Sequence, residues 1–428
     1  MKYYADLHIH SHYSRATSKD LNLEHLNLWA QLKGIQVVGT GDFVHPKWMA
    51  ELEEKLEPAE EGLFRLKKQY AKTTGAHVPA SCRGEVRFLL TVEISNIYKR
   101  HDKVRKVHNL IWVPDFSSAK KIQSRLGAIG NIKSDGRPIL GLDSKDLLEI
   151  TLESHPMALF VPAHIWTPWF SALGSKGGFD SMEEAFGDLK DHIYAVETGL
   201  SSDPLMNWRL KGLDNYVLVS NSDAHSAPKL GREANLFDTE LSYRGIHDAL
   251  KNKDDRGLVS TVEFFPEEGK YHYDGHRDCK TRLHPTETIK NKGLCPVCGK
   301  PVTVGVMARV EELADRPEGE KAPRSRPYKS VIPLPEIIAE AKGSGVNTKG
   351  VQEVYQQMLA SIGSEFYILM DASIEEIRKK SGEVMAESIS RMRAGEVSIA
   401  AGYDGEFGVI KIYSEKERKA IEGQLALF

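Results

Sequence analysis

The sequence predicts an α/β fold: a barrel of seven strand–helix units, followed by a zinc ribbon and a small mixed, mainly helical C-terminal domain. Three observations predict it. Apolar, strand-like runs alternate with helix-compatible segments through the first 265 or so residues, a pattern that implies a parallel sheet covered by helices or closed into a barrel. Histidines and carboxylates recur at the ends of those runs, where barrel enzymes carry their active sites. A His/Cys cluster and then helix-like stretches occupy the remainder.

Taken in order, the strand candidates are residues 3–10, 35–42, 86–93, 107–113, 158–164, 193–197 and 216–223. Amphipathic or charged helix candidates lie between them at 23–32, 47–57, 60–72, 145–153 and 181–189. Residues two apart in a strand share a face, so His8 and His10 point one way, as do Asp223 and His225. Asp42, Glu93 and His164 end other strands, and His108 lies at the start of one. Imidazoles combined with carboxylates suit zinc, manganese or iron. The series therefore reads as a multinuclear metal site.

The chain has 428 residues and a net charge of −3. That length holds more than one domain, and that charge excludes a uniformly basic nucleic-acid binder, although local charge matters more than the total. One dense basic run comprises Lys99, Arg100, Lys103, Arg105 and Lys106; a looser one comprises Arg309, Arg316, Lys321, Arg324, Arg326 and Lys329. No stretch of about 18 apolar residues suggests a membrane span, and no signal-peptide pattern opens the chain. Four cysteines in this length do not form a disulfide framework. A cytoplasmic protein is expected.

Residues 266–305 read as a separate module. His276 and Cys279, then Cys295 and Cys298, make two knuckles with ligands three residues apart, the spacing that arranges four donors tetrahedrally around a structural zinc. Gly299 supplies the backbone freedom of the second turn. His272 or His284 are alternatives to His276, and Cys82 remains as an incidental thiol. The segment 316–335 reads as a linker or extended loop, and 335–341, 348–362 and 373–394 as helices. The turn 402–408 is followed by a strand at 409–413. The expected division is a catalytic barrel at 1–265, the zinc ribbon at 266–305, a small domain at 306–415 and a tail at 416–428.

The chain ends Gln424-Leu425-Ala426-Leu427-Phe428. Free ends are usually solvated and mobile, so two large apolar side chains there invite a partner with a hydrophobic cleft, or a return onto their own domain. The pentapeptide resembles the motif by which proteins bind the bacterial β sliding clamp. That resemblance implies a hydrogen bond from Gln424, and Leu425, Leu427 and Phe428 as the apolar anchors.

The series His8-Ile9-His10, Glu93, Ala163-His164 and Ser222-Asp223-Ala224-His225 resembles the PHP (polymerase and histidinol phosphatase) superfamily, whose members are distorted seven-unit barrels with two or three divalent metals. With Gly39-Thr40-Gly41-Asp42-Phe43, the run 197–203, the zinc ribbon, the turn 402–408 and the clamp-like tail, nearly the whole chain resembles the endonuclease Q family. The resemblance implies a metal-dependent DNA-repair endonuclease that nicks 5′ to a deaminated base (uracil, hypoxanthine or xanthine) or an abasic site. It implies His8, His10, Asp42, Glu93, His108, His164, Asp223 and His225 as ligands of two or three cations, with Glu93 as a bridge and Asp223, His225 and Glu93 closest to the chemistry. One structural zinc adds to these. The sequence departs from the pattern at Tyr13-Ser14-Arg15-Ala16, where a histidine or acid is common, and at Asp42, where histidine is frequent; Arg15 becomes a candidate for a substrate phosphate.

The expected partners are damaged double- or single-stranded DNA and the sliding clamp, with no membrane. A base read on its Watson–Crick edge must leave the duplex, and Trp166, Trp169, Tyr403 and Phe407 are candidates to stack on it or fill the gap; ordinary packing is the alternative for each. Two other classes compete: a phosphatase acting on a small phosphomonoester, and a catalytically inactive scaffold that rides the clamp.

Overall fold

A computed structural model describes residues 1–252, 256–414 and 417. They fall into two compact units. The first comprises Met1–Pro79, Arg83–Glu263 and Ala308–Lys329; the second comprises Ala80–Cys82, Phe264–Met307 and residues from Ser330 onward. The block expected as one small domain at 306–415 is therefore divided, because residues 308–329 pack with the first unit.

In the first unit, the strand Lys2–Asp6 runs parallel to Val37–Gly39, which runs parallel to Arg87–Arg100. On its other edge Lys2–Asp6 pairs antiparallel with Ala234–Asp238. Ala195–Glu197 and Val217–Val219 pair parallel. Leu7, Val37, Leu89, Leu110, Val161, Ala195 and Val219, one from each of the seven expected strand regions, meet in one buried cluster. Leu89 shares a strand face with Glu93, and Leu110 with His108, so in these two strands buried apolar residues and ligands line the same side of the sheet.

The expected strand–helix alternation fails between the third and fourth strands. Arg87–Arg100 and Lys103–Val113 form one long antiparallel hairpin, with Arg100 opposite Lys103. His101 and Asp102 turn it at φ of 51° and 58°, the backbone of a two-residue turn whose twist matches the paired strands. Lys103–Val113 then pairs antiparallel with Leu159–Pro162. Part of the expected helix at 60–72 is strand as well: Phe64–Leu66 pairs with Leu56–Pro58, and the helix begins only at Lys68.

Four arginines of the two basic runs are structural. Arg100 donates to the Ala185 carbonyl at 2.8 Å, and Arg105 to Glu184 at 2.9 Å. Arg309, buried, reaches the carbonyls of Leu173 and Phe179 and the carboxylate of Asp180. Arg316, also buried, holds Asp214 and the Trp208 carbonyl. A guanidinium forks several acceptors at once, so arginines in a charged, proline-rich stretch serve here as staples within the first unit.

The second unit carries a small hairpin, Asp274–His276 with Thr281–Leu283, and, beyond residue 330, the α-helices Leu334–Lys342, Lys349–Ser361, Ile374–Ser381 and Glu383–Ala394. The last two were expected as one. Gly382, at φ 86°, breaks them in the left-handed conformation that glycine adopts at little cost. Ile337, Tyr355, Leu359, Ile368, Ile377 and Ile389 are buried, and the Tyr355 hydroxyl donates to Glu365 at 2.8 Å. Among the described residues no helix is long and apolar enough to cross a membrane.

Candidate metal centre

Four strands, Lys2–Asp6, Val37–Gly39, Leu159–Pro162 and Val217–Val219, stop just short of their functional side chains. Asp42, His164 and Asp223 lie at φ of 51°, 28° and 46°, a left-handed backbone that costs a non-glycine residue on the order of 1 kcal/mol or more and clusters at functional sites. One cross-connection joins the two ends of the ligand series. Ile9 bridges Ala224 in parallel, and His10 N–H donates to the Ala224 carbonyl at 3.2 Å. That bridge sets His8 and His10 beside Asp223 across more than two hundred residues of chain.

The hairpin supplies the middle of the site. Ser95 stands opposite His108, so Glu93, two residues from Ser95, shares the face and lies diagonal to His108. Two groups of donor atoms result, His8, His10, Glu93 and Asp223 in one and Glu93, His108 and His164 in the other, each with its atoms within 4.8 Å of one another. Glu93 belongs to both. Its Oε1 lies 2.6 Å from His108 Nδ1 and 3.1 Å from His164 Nε2. Its Oε2 lies 3.5 Å from His8 Nε2 and 3.4 Å from His10 Nε2. Asp223 Oδ1 is 3.0 Å from His10 Nε2.

These residues fit divalent cations. Nε2 of His8 is buried and makes no hydrogen bond, although it faces Glu93 and Asp223 at 3.5 Å each; a buried polar atom without a partner is costly, and a cation between those oxygens would satisfy it. Burial disfavours a charged His8, yet Glu197, Asp223 and Glu93 outweigh it and hold its pKa well above the usual value. Burial likewise opposes a charged His10, but Asp223 and Asp42 bring it up to about 9. Burial would raise the Glu93 carboxyl, and His108, Arg137 and His8 hold it well below the ordinary range. His108 goes the other way: burial takes it down to about 4 despite Glu93. The cluster is an excess of buried anionic charge, and metal binding displaces such protons.

Not every expected ligand joins the two groups. Asp42 stands behind His10, with Oδ1 3.2 Å from Nδ1, while Oδ2 accepts from Ser11 N–H, Ser11 Oγ and Ser14 Oγ. Its acceptor capacity is spent, so it orients His10 rather than completing a donor group. His225 packs its ring 4.6 Å from that of His10 and donates from Nδ1 to the Asp223 carbonyl, which leaves Nε2 as its remaining donor atom, outside both groups. Arg15 is exposed and paired with Asp135 at 3.3 Å.

The aromatic candidates divide. Trp166 is fully buried and donates to Asn207; it is a core residue, because its indole N–H has its partner inside. Trp169 is 50% exposed, with Lys106 Nζ 4.7 Å from its ring centre. In the second unit, Tyr403 is half-buried and covers Gly275, where a Cβ would come within 2.3 Å of its ring. Phe407 is 70% exposed under Lys270 Nζ at 4.4 Å. Gln424, Leu425, Leu427 and Phe428 lie outside the described residues.

The second unit gathers His276, Cys279, Cys295 and Cys298, one donor atom each within 4.8 Å of the others. Of the alternatives, His284 instead caps the helix Pro285–Lys290, and His272 is buried against Tyr273. Cys295 is brought down to about 6: burial opposes its ionisation, and the backbone N–H groups of Cys298 and Val297 outweigh burial. Three cysteine sulfurs with one imidazole suit zinc.

Sequence reasoning missed two residues. Glu197 accepts from His8 Nδ1 through both oxygens, at 3.1 and 3.0 Å, and from His164 N–H at 2.9 Å; an acid ending a buried apolar strand was the available signal. Arg137 donates from Nη1 to Glu93 Oε2 at 3.0 Å, and nothing in its loop sequence marks it. A cleft of about 620 Å³ opens beside Asp223 and His225, lined also by Thr17, Ser18, Lys229 and Arg232.

Residues 333–396 match the family described as the MJ0043 C-terminal domain. The MJ0043 protein of Methanocaldococcus jannaschii is 34% identical over 261 residues, which are 59% of this chain and 32% of that protein; the chain spans about a third of that relative's length. The YqxK protein of Bacillus subtilis is 30% identical over 428 residues, 96% of this chain and 99% of that one. The crystal structure of the lesion-specific endonuclease PfuEndoQ from Pyrococcus furiosus is similar at a TM-score of 0.84 and 34% identity, covering 97% of this chain and 96% of that chain. Endonuclease Q in complex with a 27-mer duplex substrate, with an abasic lesion at its active site, is similar at a TM-score of 0.81 and 34% identity, covering 97% and 98%.

Proposed function

This chain belongs to the endonuclease Q family, and on that premise we propose that it hydrolyses a phosphodiester of lesion-containing DNA. The observation that carries the reading is the buried carboxylate of Glu93, shared by two donor groups beside an open cleft. We read the strands of the first unit as a distorted seven-unit barrel of the PHP type. Two or three divalent ions would be held there, by His8, His10, Glu93 and Asp223 and by Glu93, His108 and His164. When bound, paired cations supply Lewis acidity to a phosphate and lower the pKa of a water to about 7.

The chain's own residues do the rest. Asp42 and Glu197 hold the rings of His10 and His8 from behind, which fixes where their other nitrogens point. Asp223 and His225 line the cleft, so the scissile phosphate approaches from their side, between Thr17 and Ser18 on one hand and Lys229 and Arg232 on the other. Burial pushes the His225 imidazole down, so it is neutral near pH 7 and serves as a lone-pair donor. Asp223, His225 and Glu93 are the residues closest to the chemistry.

The substrates in this reading are uracil, hypoxanthine, xanthine and abasic sites in duplex DNA, cut on the 5′ side. Extruding a damaged nucleotide costs a few kcal/mol, least where pairing is already weak. Trp169 in the first unit and Phe407 in the second offer exposed rings for the unstacked neighbours. His276, Cys279, Cys295 and Cys298 form a zinc ribbon, and residues 424–428 bind the β sliding clamp.

Gel analysis of duplexes that each carry one uracil, hypoxanthine or abasic site tests the proposal. The expected result is a nick 5′ to the lesion that a chelator abolishes and added divalent cation restores. Release of phosphate from a small monoester without any nicking would instead identify a phosphatase.

A further inference from the structure

The loop 133–138 is fastened over the centre at every turn. His45 Nε2 meets the Lys133 carbonyl at 3.1 Å. Asp135 Oδ1 accepts from the backbone N–H groups of Arg15 and Arg137, both at 3.2 Å. Gly136 N–H donates to the Tyr13 carbonyl at 3.0 Å, and Pro138 accepts from Ser95 N–H at 3.1 Å. Gly136 is pressed so closely on the site that a Cβ would stand 2.1 Å from Asp42 Oδ2 and 2.4 Å from Ser14 Oγ.

What this loop delivers is the guanidinium of Arg137. Its Nη1 contacts Glu93 Oε2 at 3.0 Å, the only side-chain hydrogen bond it makes among the described residues, and its side chain is 26% exposed. Four N–H donors remain on a planar, always charged group that matches the oxygens of a phosphate. Both oxygens of Glu93 already face imidazoles, Oε1 those of His108 and His164, Oε2 those of His8 and His10. Asp42, which an additional cation would need, is consumed by His10, Ser11 and Ser14. A fixed positive charge thus stands at the edge of two donor groups, where a further ion would otherwise be required.

We propose that Arg137 is a catalytic residue that donates to a non-bridging oxygen of the scissile phosphodiester, and that the buried cluster takes two cations with this guanidinium as the third positive charge. The proposal rests on the nuclease reading above, and its test separates the two. Wild type, Arg137→Gln and Arg137→Lys, each as the full chain, are compared by metal content, by affinity of the metal-loaded protein for inorganic phosphate, and by single-turnover nicking of an abasic duplex. All three proteins are expected to hold two ions in the cluster, one per donor group, besides the ion of the cysteine group. Arg137→Gln is expected to lose phosphate affinity and to nick about 10²–10³-fold more slowly; Arg137→Lys recovers part of both.

Unchanged phosphate affinity in Arg137→Gln overturns the proposal, as does a wild type that binds no phosphate. Loss of cluster ions in both variants also overturns it, since Arg137 would then act only through Glu93, and so does a third cluster ion in wild type. If wild type nicks no lesion duplex while Arg137→Gln still loses phosphate affinity, the nuclease reading falls and the phosphate contact stands.

Discussion

Glu197 grips His8 through both carboxylate oxygens, at 3.1 and 3.0 Å from Nδ1, and the opposite ring nitrogen then faces Glu93 and Asp223. The remaining neighbours of Glu197 are donors too: His164 N–H at 2.9 Å and Asn221 Nδ2 at 2.9 Å. Glu197→Gln sets an amide NH2 against one of them. We expect about a 10–100-fold loss of cluster-metal affinity, the usual cost of a changed supporting residue, read by metal content after dialysis against graded chelator. Wild-type retention would mean that His8 is held by packing alone.

Asp223 is the partly exposed member of its donor group. Asp223→Asn should abolish nicking of a uracil-containing duplex while leaving duplex affinity largely intact, because Lys229, Arg232, Thr17 and Ser18 of the cleft are untouched. Nicking at the normal rate would show that the wrong cluster has been identified.

Cys298→Ser removes one of the three cysteine donors that face His276. Elemental analysis should lose one zinc per chain, with the cluster ions retained, and amides around the hairpin Asp274–His276 and Thr281–Leu283 should exchange faster. Structural zinc contributes folding energy directly, so an unchanged exchange pattern would argue that these cysteines are not a metal site.

Glu263 sets a pH dependence outside the donor groups. Burial pushes its carboxyl from the ordinary 4.5 up to about 7, against hydrogen bonds from Thr261, Thr198 and Ser220 and with help from Asp203. The folded state therefore prefers the protonated form. Its contribution is fully present below pH 4.5 and is lost as pH rises through about 7, on the order of a few kcal/mol in all. Glu263→Gln cannot ionise, so its stability advantage over wild type in denaturant melts should widen from pH 5 to pH 8. A gap that does not vary with pH would contradict this.

The line between what was legible in the sequence and what was not follows from the range of each interaction. Strand positions and the zinc-type knuckles were readable because alternation and two-residue spacing are local properties of the backbone. The helix at 60–72 and the long helix at 373–394 were misread where a short strand pair and one left-handed glycine intervened. The hairpin at residues 87–113 was missed because its turn is made by His101 and Asp102, which carry no glycine signal.

By itself, then, the sequence determined which residue types end the strands, and hence that a cluster of imidazoles and carboxylates would form. Only the tertiary structure decided their division of labour: Glu93 shared between two groups, Asp42 and Glu197 behind the histidines, Arg137 at the edge and Trp166 in the core. Those roles depend on which atom of a side chain meets which neighbour across long stretches of chain. An ångström-scale relation of that kind has no counterpart in residue spacing.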